Sequence, residues 1–151
     1  MSNNLNFSVK GESLSPTKLE VKTRQFSFIV DEPPALGGED AGANPVEYLL
    51  ASYAGCLNVV FYIVAKEEDI LINSLKININ GNIDPSKLLG ISKINRAGFH
   101  NINVQIELDT DAPEFKIADL ISKVKDRCPI NDNLTNITQI NYSIENSAVL
   151  I

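Results

Sequence analysis

The side chains best suited to covalent chemistry are two thiols. Cys56 lies in the stretch "NPVEYLLASYAGCLNVVFYIVAK" and Cys128 in "DRCPINDNL". They stand 72 positions apart. Two cysteines are too few for a disulfide scaffold, and their spacing does not match a zinc site. A cysteine attacks only as its thiolate. Apolar surroundings raise a thiol pKa, so a reactive Cys56 needs a cation or hydrogen-bond donors beside it. Arg24 is the candidate cation. Cys128 precedes Pro129 and so fits the start of a helix, where the helix dipole favours a thiolate.

Each of these residues also has a plainer reading. Free cysteine is among the most buried residue types and packs like a small hydrophobe. Glu47 follows Asn44 by three positions and suits a capping box, and Arg24 suits an exposed strand edge. Asn58 is polar within an apolar run and requires a buried partner or water. Arg96 and His100 flank "AGF" in an expected turn.

The elements that would hold these residues follow from periodicity. A strand is expected over Leu5–Lys10. In "KLEVKTRQFSFIVDEP", Leu19 and Val21 share one parity and Phe26, Phe28 and Val30 the other, so a bulge or tight turn falls near Thr23–Arg24. The Gly- and Pro-rich "PPALGGEDAGANP" lacks the spacing of a phosphate cradle and reads as a mobile approach to the next helix. That helix has Asn44 as N-cap, Pro45 at its first position and Glu47 at its third. From Tyr48 to Ala65 it is apolar around nearly its whole circumference. Such a helix is a membrane span or the enclosed centre of a fold. Its acidic flank Glu67, Glu68 and Asp69 and the lack of a basic anchor cluster favour the enclosed centre. One chain of this size covers such a helix poorly, which points to a partner subunit. "SLKINING" and "HNINVQIELDT" alternate as half-buried strands. A second helix is expected from near Pro113, with Asp111 as its N-cap and Ile117, Leu120, Ile121 and Val124 as its buried stripe. A short helix follows Cys128, and "QINYSIE" reads as a closing strand.

The 151 residues, 44% hydrophobic and 21% charged, suit one globular domain over the whole chain. A formal charge of −6 leaves no excess of Lys and Arg to neutralise phosphates, so nucleic acid is not expected as a partner. The amino terminus shows no basic region followed by an apolar core, and a cytoplasmic location is expected. No cofactor, metal or membrane partner is expected.

The order of three strands, a buried helix, two strands, two helices and a strand resembles the OsmC/Ohr family of organic-hydroperoxide reductases. Two segments carry the resemblance: "GGEDAGANPVEYLLASYAGC" and "DRCPINDNL". The resemblance implies an α+β fold forming an intertwined homodimer, with the long helices buried between sheets and the active sites at the dimer interface. It implies that Cys56 is the peroxide-attacking cysteine and Cys128 the resolving one. A thiolate attack on a hydroperoxide leaves a sulfenic acid, which the second thiol converts to a disulfide for an external dithiol to reset. Arg24 and Glu47 are the candidates for the assisting cation and its acid partner. In the family's well-known peroxidases that acid comes directly after the helix-starting Pro, where this chain has Val46. Glu47 stands nine residues before Cys56, half a turn around the helix from it at about 3.6 residues per turn. The departure resembles a less characterised branch. It keeps open an alternative function: the same dimer holding a small hydrophobic or sulfur-containing ligand without peroxidase turnover.

Overall fold

A computed structural model gives the chain an α+β architecture and describes residues 3–145. Its elements run β1 (Lys10–Ser13), β2 (Leu19–Thr23), β3 (Phe26–Val30), α1 (Pro45–Glu67), β4 (Ser74–Asn82), β5 (Asn101–Asp109), α2 (Glu114–Arg127) and α3 (Pro129–Thr135). The first three strands form one antiparallel sheet in the order β1-β2-β3, and β4 and β5 form a second. Two compact units result. Among the described residues, one holds 3–55 together with Ile77–Ile106, the other Cys56–Lys76 together with 107–145.

In the first unit, β2 and β3 pair from Leu19↔Val30 to Thr23↔Phe26, and the parity switch read from the sequence is the tight turn at Arg24 and Gln25. Arg24 takes a φ of 50°, in the left-handed region that a tight hairpin turn asks of its first central residue. The expected strand over Leu5–Lys10 begins later. The register Lys10↔Lys22 brings β1 to the end of β2, so the residues before Lys10 face no partner strand. Leu5, Phe7 and Val9 are exposed.

The approach to α1, expected to be mobile, is pinned by Asp31. This fully buried carboxylate accepts hydrogen bonds from the backbone N–H groups of Glu32 at 2.8 Å and of Glu39 and Ala41 at 3.1 Å. The loop also folds so tightly that only glycine fits at two places. A Cβ on Gly38 would lie 1.7 Å from the Glu32 carbonyl oxygen, and one on Gly42 would lie 2.1 Å from that of Ile29. Burial alone would raise the Asp31 pKa, but the bonds from Ala41, Glu32, Thr17 and Glu39 outweigh it and hold the group at about 2.

The loop delivers the chain to α1 with the caps expected of it. Asn44 Oδ1 accepts from Glu47 N at 2.9 Å while Glu47 Oε2 accepts from Asn44 N at 2.8 Å, a reciprocal capping box with Pro45 at the first helical position. One turn on, the Tyr48 hydroxyl donates to the Ile29 carbonyl at 2.8 Å and its ring lies 5.2 Å from that of Phe28. These contacts seat the start of α1 on β3. An 18-residue window of α1 has a mean hydropathy of 1.7, enough in length and composition to cross a membrane. Its buried side chains instead make it a core helix.

In the second unit the core comes from the later part of α1 and from α2. Leu57, Val60, Phe61, Val64 and Ala65 are buried, as are Leu120 and Val124. Ion pairs of Arg127 with Glu67 and of Lys123 with Glu68 tie the end of α1 to α2. The expected cap at Asp111 is not used. Pro113 occupies the cap position with no side-chain bond, and the Thr110 hydroxyl accepts from Ala112 N one step earlier. The expected closing strand over "QINYSIE" does not form: among the described residues none from Gln139 to Glu145 lies in a strand. Ile140, Tyr142 and Ile144 alternate as a strand would, and all three are exposed. Alternation marks a segment ready to pair, but pairing needs a free edge opposite it.

A depressed carboxylate pKa stabilises the fold above its unfolded value and ceases to do so as pH falls through the folded value. Asp31 therefore contributes fully above about 3.8, and that contribution is lost as pH drops toward about 2. Thermal unfolding of Asp31→Asn is expected to show a lower melting temperature than wild type at neutral pH. Between pH 4 and pH 2 the gap should close; an unchanged gap across that range would refute the role.

Candidate functional site

The two thiols come together within the second unit. Cys56 Sγ and Cys128 Sγ share a hydrogen bond at 3.0 Å. Cys56 is half-buried and Cys128 wholly buried, and both are free thiols. The placement follows from local sequence. Cys56 lies on α1 one position before buried Leu57, at the margin of the apolar face. Cys128 ends α2 and begins α3: its backbone is extended, with φ −79° and ψ 113°, and Pro129 takes the first position of α3. The first turn of a helix carries N–H groups with no partner inside the helix. Here two of them meet sulfur. Asn131 N donates to Cys128 Sγ at 3.4 Å, and Ile130 N donates to Cys56.

These surroundings set the protonation of Cys56. Burial pushes its thiol above the ordinary value, the hydrogen bond with Cys128 pushes the same way, and the Ile130 N–H works against both. The neutral thiol is the favoured form. None of the groups that act on the Cys56 thiol is a cation.

The other candidates occupy different positions. Glu47 is engaged in the capping box of α1. Arg24 sits in the β2–β3 turn with its guanidinium 5.0 Å from the centre of the Phe26 ring, a cation–π contact. Val46, the residue directly after the helix-starting proline, lies at the exposed start of α1. Asn58, Arg96 and His100 are exposed. In the first unit a shallow groove of about 270 Å³ runs beside the early turns of α1, lined by Glu47, Leu50, Ala51, Ala54 and Ile79. Among the described residues no group of three or more His, Cys, Asp or Glu could hold a metal ion.

Sequence reasoning missed the Ile130 and Asn131 N–H groups as partners of sulfur and Asp31 as the organiser of the loop before α1. The Cys-Pro step announced a helix start, and hence free donors, but not which sulfur they would reach. An Asp at a strand end, ahead of a Pro- and Gly-rich stretch, was the available signal for the second.

The sequence model of the OsmC-like protein family matches residues 37–143. A hydroperoxide reductase of Mycoplasma pneumoniae is 26% identical over 120 residues, spanning 80% of this chain and 80% of that protein. The crystal structure of an OsmC-like protein from Mycoplasma pneumoniae superposes with a TM-score of 0.77 at 21% identity, covering 89% of this chain and 90% of the other. An organic hydroperoxide resistance protein OsmC from Legionella pneumophila gives 0.66 at 18% identity, over 88% and 91% of the two chains.

Because the Cys56 thiol is raised, its alkylation rate is expected to keep climbing with pH beyond the point where an ordinary exposed thiol has levelled off. Iodoacetamide kinetics on the Cys128→Ser protein isolate this thiol. A plateau already reached at neutral pH would show that a donor or cation in the assembled protein overrides the burial.

Proposed function

The chain belongs to the OsmC-like protein family, and from that premise we propose that it is a thiol-dependent reductase of organic hydroperoxides. The observation that carries the reading is the 3.0 Å approach of the Cys56 and Cys128 sulfurs. In the cycle, the Cys56 thiolate attacks one peroxide oxygen and the O–O bond breaks. The second oxygen leaves as an alkoxide that takes up a proton to become the alcohol. Cys56 is left as a sulfenic acid. The Cys128 sulfur then displaces hydroxide from it, water is released, and a Cys56–Cys128 disulfide remains. A dithiol reductant restores both thiols by exchange. Two cysteines used this way fit a reducing compartment, in keeping with a cytoplasmic location.

The raised Cys56 pKa sets a requirement on this cycle: the thiolate needs a cation, and none is among the groups that set that pKa. A homodimer supports the reading. Along α1 the apolar residues Leu49, Val59, Tyr62 and Ile63 are exposed in the single chain, with Ser52 and Gly55 among them. A Cβ on Gly55 would touch nothing within 4 Å. A stripe of this kind suits close packing against the same helix of a second copy. The alternating segments 5–9 and 140–144, which among the described residues lie in no sheet, suit strand exchange with that copy. We take the two units as one functional domain, with Arg24 as the cation, carried to the thiol by the partner.

A specific observation favours the second reading, ligand binding without turnover. Glu47 is committed to the helix cap, Val46 stands where the peroxidases of the family have their acid, and the groove beside Ala51 and Ala54 offers room for a small apolar ligand. Steady turnover of cumene hydroperoxide with a dithiol reductant is expected for wild type and none for Cys56→Ser. Cys128→Ser should complete a single oxidation and accumulate a sulfenic acid trappable with dimedone. Equal inactivity of wild type and Cys56→Ser, with a ligand retained through purification, would replace the first reading by the second.

Light scattering is expected to report twice the 16.6 kDa chain mass. Val59→Arg places a charge on the exposed stripe of α1 and should return the protein to monomer and abolish turnover together. A fully active monomer would contradict the shared site.

A further inference from the structure

The connection from β4 to β5, residues 83–100, is folded inside out. Asp84, Ser86, Ser92 and Asn95 are half-buried and bonded to one another. Ser86 N donates to Asp84 Oδ1 at 2.9 Å, and the Asn95 amide donates to Asp84 Oδ2 and to Ser86 Oγ, each at 2.9 Å. Asn95 N in turn donates to Ser92 Oγ at 3.1 Å. Backbone turns close the segment further: Leu89 N and Ile91 N donate to the carbonyls of Pro85 and Ser86 at 2.9 Å, and Gly90 supplies a φ of 72° at the apex. This is a compact loop held by its own bonds. Its large aliphatic side chains are outside. Leu88, Leu89, Ile91 and Ile94 are between 63% and 94% exposed. A rigid loop that turns its apolar residues outward marks a surface built to meet something.

The charges indicate what it meets. Lys87, Lys93 and Arg96 are exposed around the apolar tip. The loop's acid, Asp84, is consumed by the internal network, which holds its pKa below the ordinary value through the Ser86 bonds first. The chain as a whole carries −6. On a chain of net negative charge, a loop that carries three cations around an apolar tip favours an anionic surface. We propose that the 83–100 loop docks the protein onto a lipid bilayer carrying anionic headgroups. Leu88, Leu89, Ile91 and Ile94 enter the boundary between headgroups and acyl chains, and Lys87, Lys93 and Arg96 lie at the phosphates. Association at a bilayer surface departs from the expectation of no membrane partner, and it involves no spanning segment. A second copy of the chain is the weaker occupant. The turns of the loop satisfy its own backbone, so it lends no free edge to a strand, unlike the alternating segment at Ile140, Tyr142 and Ile144. The inference is independent of the thiol cycle: a protein without turnover would bind the same surface.

The protein is tested by flotation with vesicles of phosphatidylcholine alone and of phosphatidylcholine mixed in equal parts with phosphatidylglycerol. At least about tenfold more protein should float with the mixed vesicles, from roughly a fivefold gain per basic residue at the surface reduced by incomplete engagement. Salt at about 1 M, where the screening length falls to about 3 Å, should release it. Lys93→Glu with Arg96→Glu should abolish the preference for the anionic vesicles. Leu88→Ser with Ile91→Ser and Ile94→Ser should lose flotation while keeping the wild-type melting temperature and light-scattering mass. Three results would overturn the proposal: no flotation of wild type, equal flotation with both vesicles, or a change of light-scattering mass in the triple serine variant, which would assign the patch to a second copy.

Discussion

Burial of the apolar side chains of α1 from Leu57 to Ala65 is the constraint on which the second unit depends. Removing a side chain the size of Phe61 or Leu57 from water contributes on the order of 2 kcal/mol, more than an exposed ion pair such as Arg127–Glu67 supplies. The helix therefore sets the geometry and the ion pairs adjust to it. Cys56 inherits its position from that packing. One residue outside the fully buried row, it is close enough to the core for burial to raise its pKa and far enough out to remain half accessible.

The same packing creates a tension at the sulfur. A dry environment suits an apolar substrate and slows stray oxidation, yet it holds back the thiolate that chemistry requires. The Ile130 N–H offsets part of the penalty, and a single hydrogen bond is too small a counterweight to reverse it. Within its unit the Cys56 thiol is therefore held in the neutral form. The loop ordered by Asp31 is the complementary half of the design: a buried charge whose burial is more than offset by N–H donors. Two ionisable groups in one chain are shifted away from reactivity and toward stability respectively, and the count of donors around each decides which.

Much of this was legible wherever the cause is local. Asn44, Pro45 and Glu47 announced the start of α1 because caps act over three residues, and β4 and β5 declared themselves by alternation. The Cys-Pro step gave the start of α3 for the same reason. The approach of Cys56 to Cys128 came from resemblance, since no periodicity links residues so far apart. Asp31 was illegible because its partners lie eight and ten residues downstream in a loop without repeat. Thr110 displaced Asp111 as the side chain serving the turn before α2, a choice between adjacent polar residues that spacing does not resolve. At the closing segment, alternation told which side chains want cover and could not tell which edge provides it. The inverted loop at 83–100 was hidden for a related reason. Its polar and apolar residues are interleaved without period, and only their hydrogen bonds separate inside from outside.

Cys128 is wholly buried and serves both as the C-cap of α2 and as the N-cap of α3. An aliphatic replacement there would unmake the beginning of a helix as well as delete a thiol, whereas serine retains an acceptor at the same place. A variant carrying alanine at this position would conflate two defects in one phenotype. A relative bearing serine there would lack the second thiol and keep the helix start.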